Sequence, residues 1–472
     1  KLLQLRFSVL VVVNRLLYGC IEMVDTVPGG GAWNLGHMLR AWSHLVFVET
    51  KDHIISEAVE RSWATGTFGS TVKVDNRRAM QSTEAGFVDP SRSTCMFAQL
   101  HQLLRGVAPW KFRCRLTDKD LLFAVQYVGL SGQADDGLDW GGLYRDLIQR
   151  VVEDLFSQPP HISLFVLTPN ARAAPDAHAG REDLFLPNAA HTSAYPLSMF
   201  EFTGKLMGVS LRTKAFLGFE LAGFVWKRLV GQAVTLDDLN DVDTAAAGCL
   251  TRMRDFDPTA GAAAFEDAFN APKFVVANAA GDRVELVPGG ADIAVTPGNV
   301  HQYVDMAVST RLGEFDRQIA AIHRGLVAVV PKRAIQLCTW KDLQQRVCGD
   351  SEIDLDVLKR NTVYDSGGVY NDRHPTIRLF WKVVAEFTNE QRLNLIRFTW
   401  GRARLPKGEW PTSTSGRKVQ FQILPKSGGN RPMPVAHTCF FQLELPQYTS
   451  EAVMRQRLVA AITYGLGSFL IR

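Results

Sequence analysis

Apolar positions recur with a helical period along most of this chain and with a period of two in a few short stretches. Residues 1–60 read as helices. Phe7, Leu10, Val11, Leu16 and Leu17 share one face, Gly29-Gly-Gly31 interrupts it, and His37 to Phe47 resumes it. Asp52 to Arg61 turns Ile54, Ile55, Ala58 and Val59 inward. The run Val9 to Val13 is stopped by Asn14 and Arg15, short of the ~20 residues that cross a bilayer. A buried helix is expected there, and nothing resembles a signal peptide.

Residues 64–95 carry little periodicity and read as a loop with a strand or two, followed by a helix from Cys95 to Leu104. Leu121 to Val128 and Ser163 to Leu167 read as strands, with a helix from Leu143 to Leu155 between them. Further helices are expected over Met199 to Leu211 and Phe216 to Leu229. Gly204 and Gly208 stand four residues apart in the first, a spacing that lets another helix approach closely. From Lys273 to Pro297 the period becomes two: Phe274 to Ala277 and Val284 to Val287 read as strands joined at Pro288-Gly-Gly290. Helices resume from Val300 to about Leu326. Residues 250–300 thus form a small β-containing insert in a helical body.

Cys348-Gly-Asp-Ser-Glu352 marks a boundary, where a helix stops at a glycine and polar residues follow. Beyond it are helices from Ile377 to Phe387 and from Asn389 to about Phe398. A strand from Val419 to Leu424 and the alternating run Phe441, Leu443, Leu445, ended by Pro446, come next. A last helix starts at Thr449 or Ser450, both good N-caps.

Length and composition narrow the class. A chain of 472 residues needs more than one core, and 46% hydrophobic with 21% charged residues is ordinary for a globular protein. A net charge of +4 with no basic tract gives no reason to expect nucleic acid, and no membrane partner is expected. The seven cysteines are scattered, odd in number and without C-x-x-C. That argues against a disulfide framework and structural zinc and fits a cytosolic or nuclear setting. Asp135, Asp136 and Asp139 lie in a glycine-rich loop but lack D-x-D-x-D-G spacing, so a tight turn is expected rather than a calcium site. No metal or cofactor is expected. The chain begins at Lys1 and is expected to be a piece of a longer protein.

One cysteine stands apart. Cys439 lies between a polar pair, His437 and Thr438, and an alternating apolar run, at the mouth of a short strand. A lone cysteine beside a strand is usually a small buried hydrophobe, and residue type alone leaves that reading ahead of catalysis. If the segment is extended, His437 shares a face with Cys439 and could help ionise the thiol; a solvated histidine is the equal alternative. Thr438 could bond the local backbone or a developing oxyanion.

Several short motifs then fall in order. They are Asp139-x-Gly-Gly142; Phe200-Glu-Phe-Thr-Gly-Lys-Leu-Met-Gly208; Val284-Glu-Leu-x-Pro-Gly-Gly290 with Val295-Thr296 and Asn299; Gly325; Cys348-Gly349; Phe398-x-x-Gly401 with Leu405-Pro406; His437-Thr-Cys-Phe440; and Leu445-Pro-x-Tyr448. Over about 100–472 the chain resembles the HECT family of ubiquitin-protein ligases, and it looks closest to the large members.

The resemblance implies an α+β, bilobal fold. A helical N-terminal extension and the start of the N-lobe would cover 1–95, and the mostly helical N-lobe 96–349. A small subdomain at about 250–315 would bind the ubiquitin-conjugating enzyme (E2). A hinge at 350–352 would lead to an α/β C-lobe over 353–472. Cys439 would accept ubiquitin as a thioester and pass it to a lysine of a protein substrate. Tyr303 would line the E2 groove, and Phe469 would serve transfer to the substrate. Two departures stand out: Phe441 replaces a frequent asparagine, whose help would be absent or supplied by Gln442, and Ala307 replaces a frequently larger residue. They support an alternative, a catalytically weak scaffold that binds E2 or ubiquitin. A cysteine protease fits poorly, because its base usually comes from a distant segment.

Overall fold

The computed structural model describes residues 1–19, 42–69, 71–81, 94–114, 121–128, 142–157, 160, 162–173, 185–350, 352–364, 367–401, 404–405, 410 and 418–464. The fold is α+β with two separate cores. One buried cluster runs from Ile55 to Cys348 and the other from Ile353 to Ile462. Each core forms a lobe, and the chain passes between them at Gly349 to Glu352.

Among the helices are α1 (Leu2–Gly19), α2 (Val48–Arg61), α3 (Met96–Leu104), α4 (Gly142–Phe156), α5 (Ala194–Thr213) and α6 (Gly223–Val230). They are followed by α7 (Val300–Gly313), α8 (Asp316–Val329), α9 (Trp340–Cys348), α10 (Pro375–Ala385), α11 (Asn389–Trp400) and α12 (Glu451–Tyr464). The N-lobe is built on α5 against α8. A Cβ on Gly204 would overlap the Ile322 carbonyl, one on Gly208 would press on Val329, and one on Gly325 would overlap the Glu201 carbonyl. The paired glycines seen in the sequence therefore do meet a helix, and that helix returns a glycine of its own. Such backbone contact leaves no room for a methyl group.

Around this pair lie β1 (Val72–Asp75) parallel to β2 (Val125–Val128), and β3 (Phe165–Leu167) antiparallel to β4 (Phe185–Pro187). The expected helix over Phe216 to Leu229 begins only at Gly223. Phe216 itself has φ 53°, which a helix cannot accept. In the small β region, β5 (Val275–Ala277) pairs with β6 (Arg283–Glu285). Their connection is Asn278 to Asp282, not Pro288-Gly-Gly290. The Asn278 side chain closes it by accepting from the amides of Ala280 and Asp282.

The expectation of a buried first helix is overturned. In α1 only Asn14 is buried, while Leu3, Phe7, Val12 and Leu16 are exposed. Asn14 Nδ2 donates to the Leu45 carbonyl and its Oδ1 accepts from Phe47 N, at 3.1 and 2.7 Å. Phe7 stacks on Phe47. Among the described residues α1 meets α2 and its entry, and Leu17 packs on the small cluster of Val46, Ile54 and Leu337. By length and composition alone α1 is long and apolar enough to cross a membrane.

The C-lobe carries one sheet in the order β7 (Thr362–Tyr364), β8 (Phe421–Lys426), β10 (Gln442–Pro446), β9 (Val435–His437). β7, β8 and β10 are parallel, and β9 is the antiparallel edge. Phe380 and Val384 of α10, Leu395 of α11 and Leu458 of α12 share a core with Phe421, Ile423, Leu443 and Leu445 of the sheet. Thr388 and Gln391 form a capping box that starts α11. Gly401, at φ 69°, closes it.

Candidate active site

β9 and β10 run antiparallel, with His437 opposite Gln442 and Ala436 opposite Leu443. Between them Thr438–Phe440 forms a single 3₁₀ turn with Cys439 at its centre. The cysteine is therefore in a tight turn rather than on a strand. This corrects the extended reading and removes the argument that His437 and Cys439 share a face. The reason is Phe441, whose left-handed backbone (φ 50°) reverses the chain before β10 can begin.

Phe441 also anchors the turn from below. It is fully buried and stacks on Trp400 at 4.4 Å, Phe421 at 4.9 Å and Trp410 at 6.0 Å. Trp400 ends α11, and the following Gly401 lies beside Thr438, itself buried. Phe440 faces out at 62% exposure. The turn thus has two fixed ends and an open outer edge.

The N-lobe reaches the same turn. Arg145 Nη1 on α4 donates to the Thr438 carbonyl at 3.4 Å. One helical stretch further, Arg397 on α11 pairs with Glu153 on α4 at 2.6 Å. On the open side His437 Nε2 lies 3.0 Å from Glu444 Oε1, with both side chains partly exposed. Tyr370 and Tyr448 hold the surroundings. The first donates to the Leu445 carbonyl and the second to the Pro432 carbonyl, both at 2.7 Å.

Comparison with known proteins shows the family. A family model described as HECT-domain (ubiquitin-transferase) matches residues 149–472. The chain belongs to the HECT family. It is 32% identical to the E3 ubiquitin-protein ligase HERC2 of Mus musculus over 96% of this chain and 9% of that protein. It is 29% identical to the E3 ubiquitin-protein ligase ptr1 of Schizosaccharomyces pombe over 71% of the chain and 10% of the relative. For pub1 of the same yeast the identity is 27%, over 71% of the chain and 41% of the relative. The chain thus spans about a tenth of the length of the first of these relatives.

In this HECT domain Tyr303 belongs to the N-lobe core rather than to the turn. Tyr303, on α7, is 6% exposed; its hydroxyl donates to the Val275 carbonyl at 3.0 Å and its ring meets Phe274 edge-on. Burial pushes its hydroxyl pKa up. Ala307 is fully buried one turn on. Phe469 and the loop with Asp135, Asp136 and Asp139 lie outside the described residues. Among the described residues no group of three or more His, Cys, Asp or Glu is placed to hold a metal.

The chemistry of three other cysteines is set by burial. Cys95, Cys114 and Cys338 are buried free thiols whose pKa is pushed up by that burial, so their thiolates are disfavoured. Arg145, Arg397, Glu153 and Glu444 were not singled out in the sequence. Arg145 is 293 residues from Thr438, a separation no local pattern reports. Glu444 was findable, as a polar position alternating with Leu443 and Leu445 beside the motif.

Proposed function

We propose that this chain is the catalytic part of an E3 ubiquitin-protein ligase. Ubiquitin passes from an E2 thioester to Cys439 and from there to a substrate lysine. The observation that carries the reading is Cys439 at the centre of an anchored turn in the C-lobe of a HECT-family chain.

In the first step the Cys439 thiolate attacks the thioester carbonyl. A new C–S bond forms as the E2 cysteine leaves as thiolate. The two thioesters are similar in energy, and a free thiol with a pKa of about 8.5 is ionised enough to react. In the second step a lysine amine attacks, the C–N bond forms, and the Cys439 thiolate departs. Thr438, held by Arg145 through its carbonyl, keeps the turn in place for both steps.

E2 would dock on the small subdomain at about 250–315, with Tyr303 holding that surface in shape, and the 350–352 segment would act as the hinge. Two separate cores joined by a few residues support rotation of one lobe against the other. Phe469 would act in transfer to the substrate. The scattered cysteines support a cytosolic or nuclear setting.

Incubation with E1, E2, ATP and ubiquitin should give a reductant-sensitive ubiquitin adduct on the wild-type chain and none on Cys439→Ala. A full-strength adduct on the variant would sink the proposal.

A further inference from the structure

The aminolysis step requires a proton acceptor, because a substrate lysine arrives as an ammonium. The open side of the cysteine turn offers one. His437 ends β9 and Glu444 stands in β10, one diagonal position from it, since Gln442 is the residue directly opposite His437. Their side chains meet at 3.0 Å. They are 42% and 34% exposed, so an incoming amine can reach them.

The chemistry of the contact assigns the tautomer. An ionised carboxylate only accepts, so the hydrogen between the two groups belongs to Nε2 of the imidazole. In neutral His437 that leaves Nδ1 with a free lone pair. Among the described residues, Glu444 from β10 and Arg145 from α4, which bonds the carbonyl one residue on, are charged groups placed at this corner.

We propose that Glu444 is a positioning residue for aminolysis, fixing His437 so that Nδ1 accepts the proton lost by the substrate ammonium. This deepens the thioester reading and rests on it. The ammonium gives its proton to Nδ1, and the imidazolium formed is stabilised by the Glu444 carboxylate. The freed amine attacks the thioester carbonyl, the C–N bond forms, the C–S bond breaks with its electron pair on the Cys439 sulfur, and the second proton, shed by the new amide nitrogen, goes to that departing thiolate to give the free thiol. This has the logic of a base held by an acid, with the partner supplied by the neighbouring strand.

The test separates the two steps. The full chain is charged with ubiquitin, charging is stopped, and discharge to free lysine is followed from about pH 6 to 9. Glu444→Gln keeps a hydrogen-bonding group but removes the charge. It should slow discharge at neutral pH about tenfold and charging much less. The split between the two steps is a readout that a merely structural role would not move. His437→Ala should lose at least as much, and adding Glu444→Gln to it should cost nothing further. Glu444→Asp should recover part of the rate.

Discharge by Glu444→Gln within twofold of wild type would overturn the proposal. So would an equal fall in charging and discharge, the sign of a merely structural role. A wild-type chain that never forms the adduct would overturn the thioester reading together with this one.

Discussion

Phe441 stacks face to face on Trp400, at 4.4 Å and an interplanar angle of 12°, while its own backbone is held at φ 50°. A left-handed conformation costs a non-glycine residue about 1–2 kcal/mol. The aromatic stack with Trp400, Trp410 and Phe421 more than offsets it, since burying a phenylalanine is worth about 3–5 kcal/mol against alanine. The residue two positions after the cysteine is therefore a core anchor that sets the shape of the turn. It gives no support to a binding-only protein, and Ala307, fully buried in α7, is likewise a packing residue.

Phe441→Ala should destabilise the C-lobe by about 3–4 kcal/mol. Phe441→Asn should cost somewhat less, because asparagine accepts the left-handed backbone more easily but leaves a cavity and a buried amide. Near-ultraviolet circular dichroism should lose the signal of the stacked tryptophans, and urea unfolding should give the energy. Wild-type stability in the alanine variant would refute the anchoring role.

The α5–α8 crossing predicts opposite signs for two glycine substitutions. Gly204→Ala places a methyl group on the Ile322 carbonyl and should cost about 3 kcal/mol or more. Gly248→Ala, in the helix Thr244–Arg254 with nothing within 4 Å, should stabilise by about 0.5–1 kcal/mol. Thermal unfolding of both variants tests the claim, and a tolerated Gly204→Ala would contradict the close approach.

The lobes are tied by Arg397 and Glu153, both partly exposed. A pair of this kind is worth about 0.5–1 kcal/mol and is screened by salt. Arg397→Glu should broaden the distance distribution between fluorophores on the two lobes, and adding Glu153→Arg should narrow it again. The difference from wild type should shrink in about 1 M salt. If the charge swap restores nothing, the pair does not hold the lobes.

His101 adds a pH dependence to N-lobe stability. It is fully buried, with Nε2 bonded to Ser198 Oγ at 3.1 Å. Burial first, then Arg105 and Lys205, lowers its pKa from 6.5 to about 4. The folded value lies below the unfolded one, so the unfolded chain binds more protons between them. Its stabilising effect is complete above about pH 6.5 and is lost as pH falls to about 4, on the order of 3 kcal/mol. His101→Gln should flatten this part of the stability profile. An equally steep profile would assign the dependence to other groups.

Much of this molecule is local and was legible in the amino-acid order. Helix spacing located α2, α3, α5 and α10, and a glycine after a helix marked the passage between lobes at Gly349. Short motifs at fixed offsets pointed to Cys439 and to the family. These are statements about residues a few positions apart, where backbone preference and amphipathic period act directly. The exposed face of α1, the 3₁₀ turn at Cys439, and the contacts of Arg145 and Arg397 with their partners were decided only by the tertiary structure. Each depends on what lies across a gap of tens or hundreds of residues: which described elements meet α1, an aromatic stack of Trp400, Trp410 and Phe421 gathered under Phe441, and a helix of the N-lobe beside the C-lobe turn. Periodicity reports which side of an element is apolar; burial and distance arise only when the elements meet.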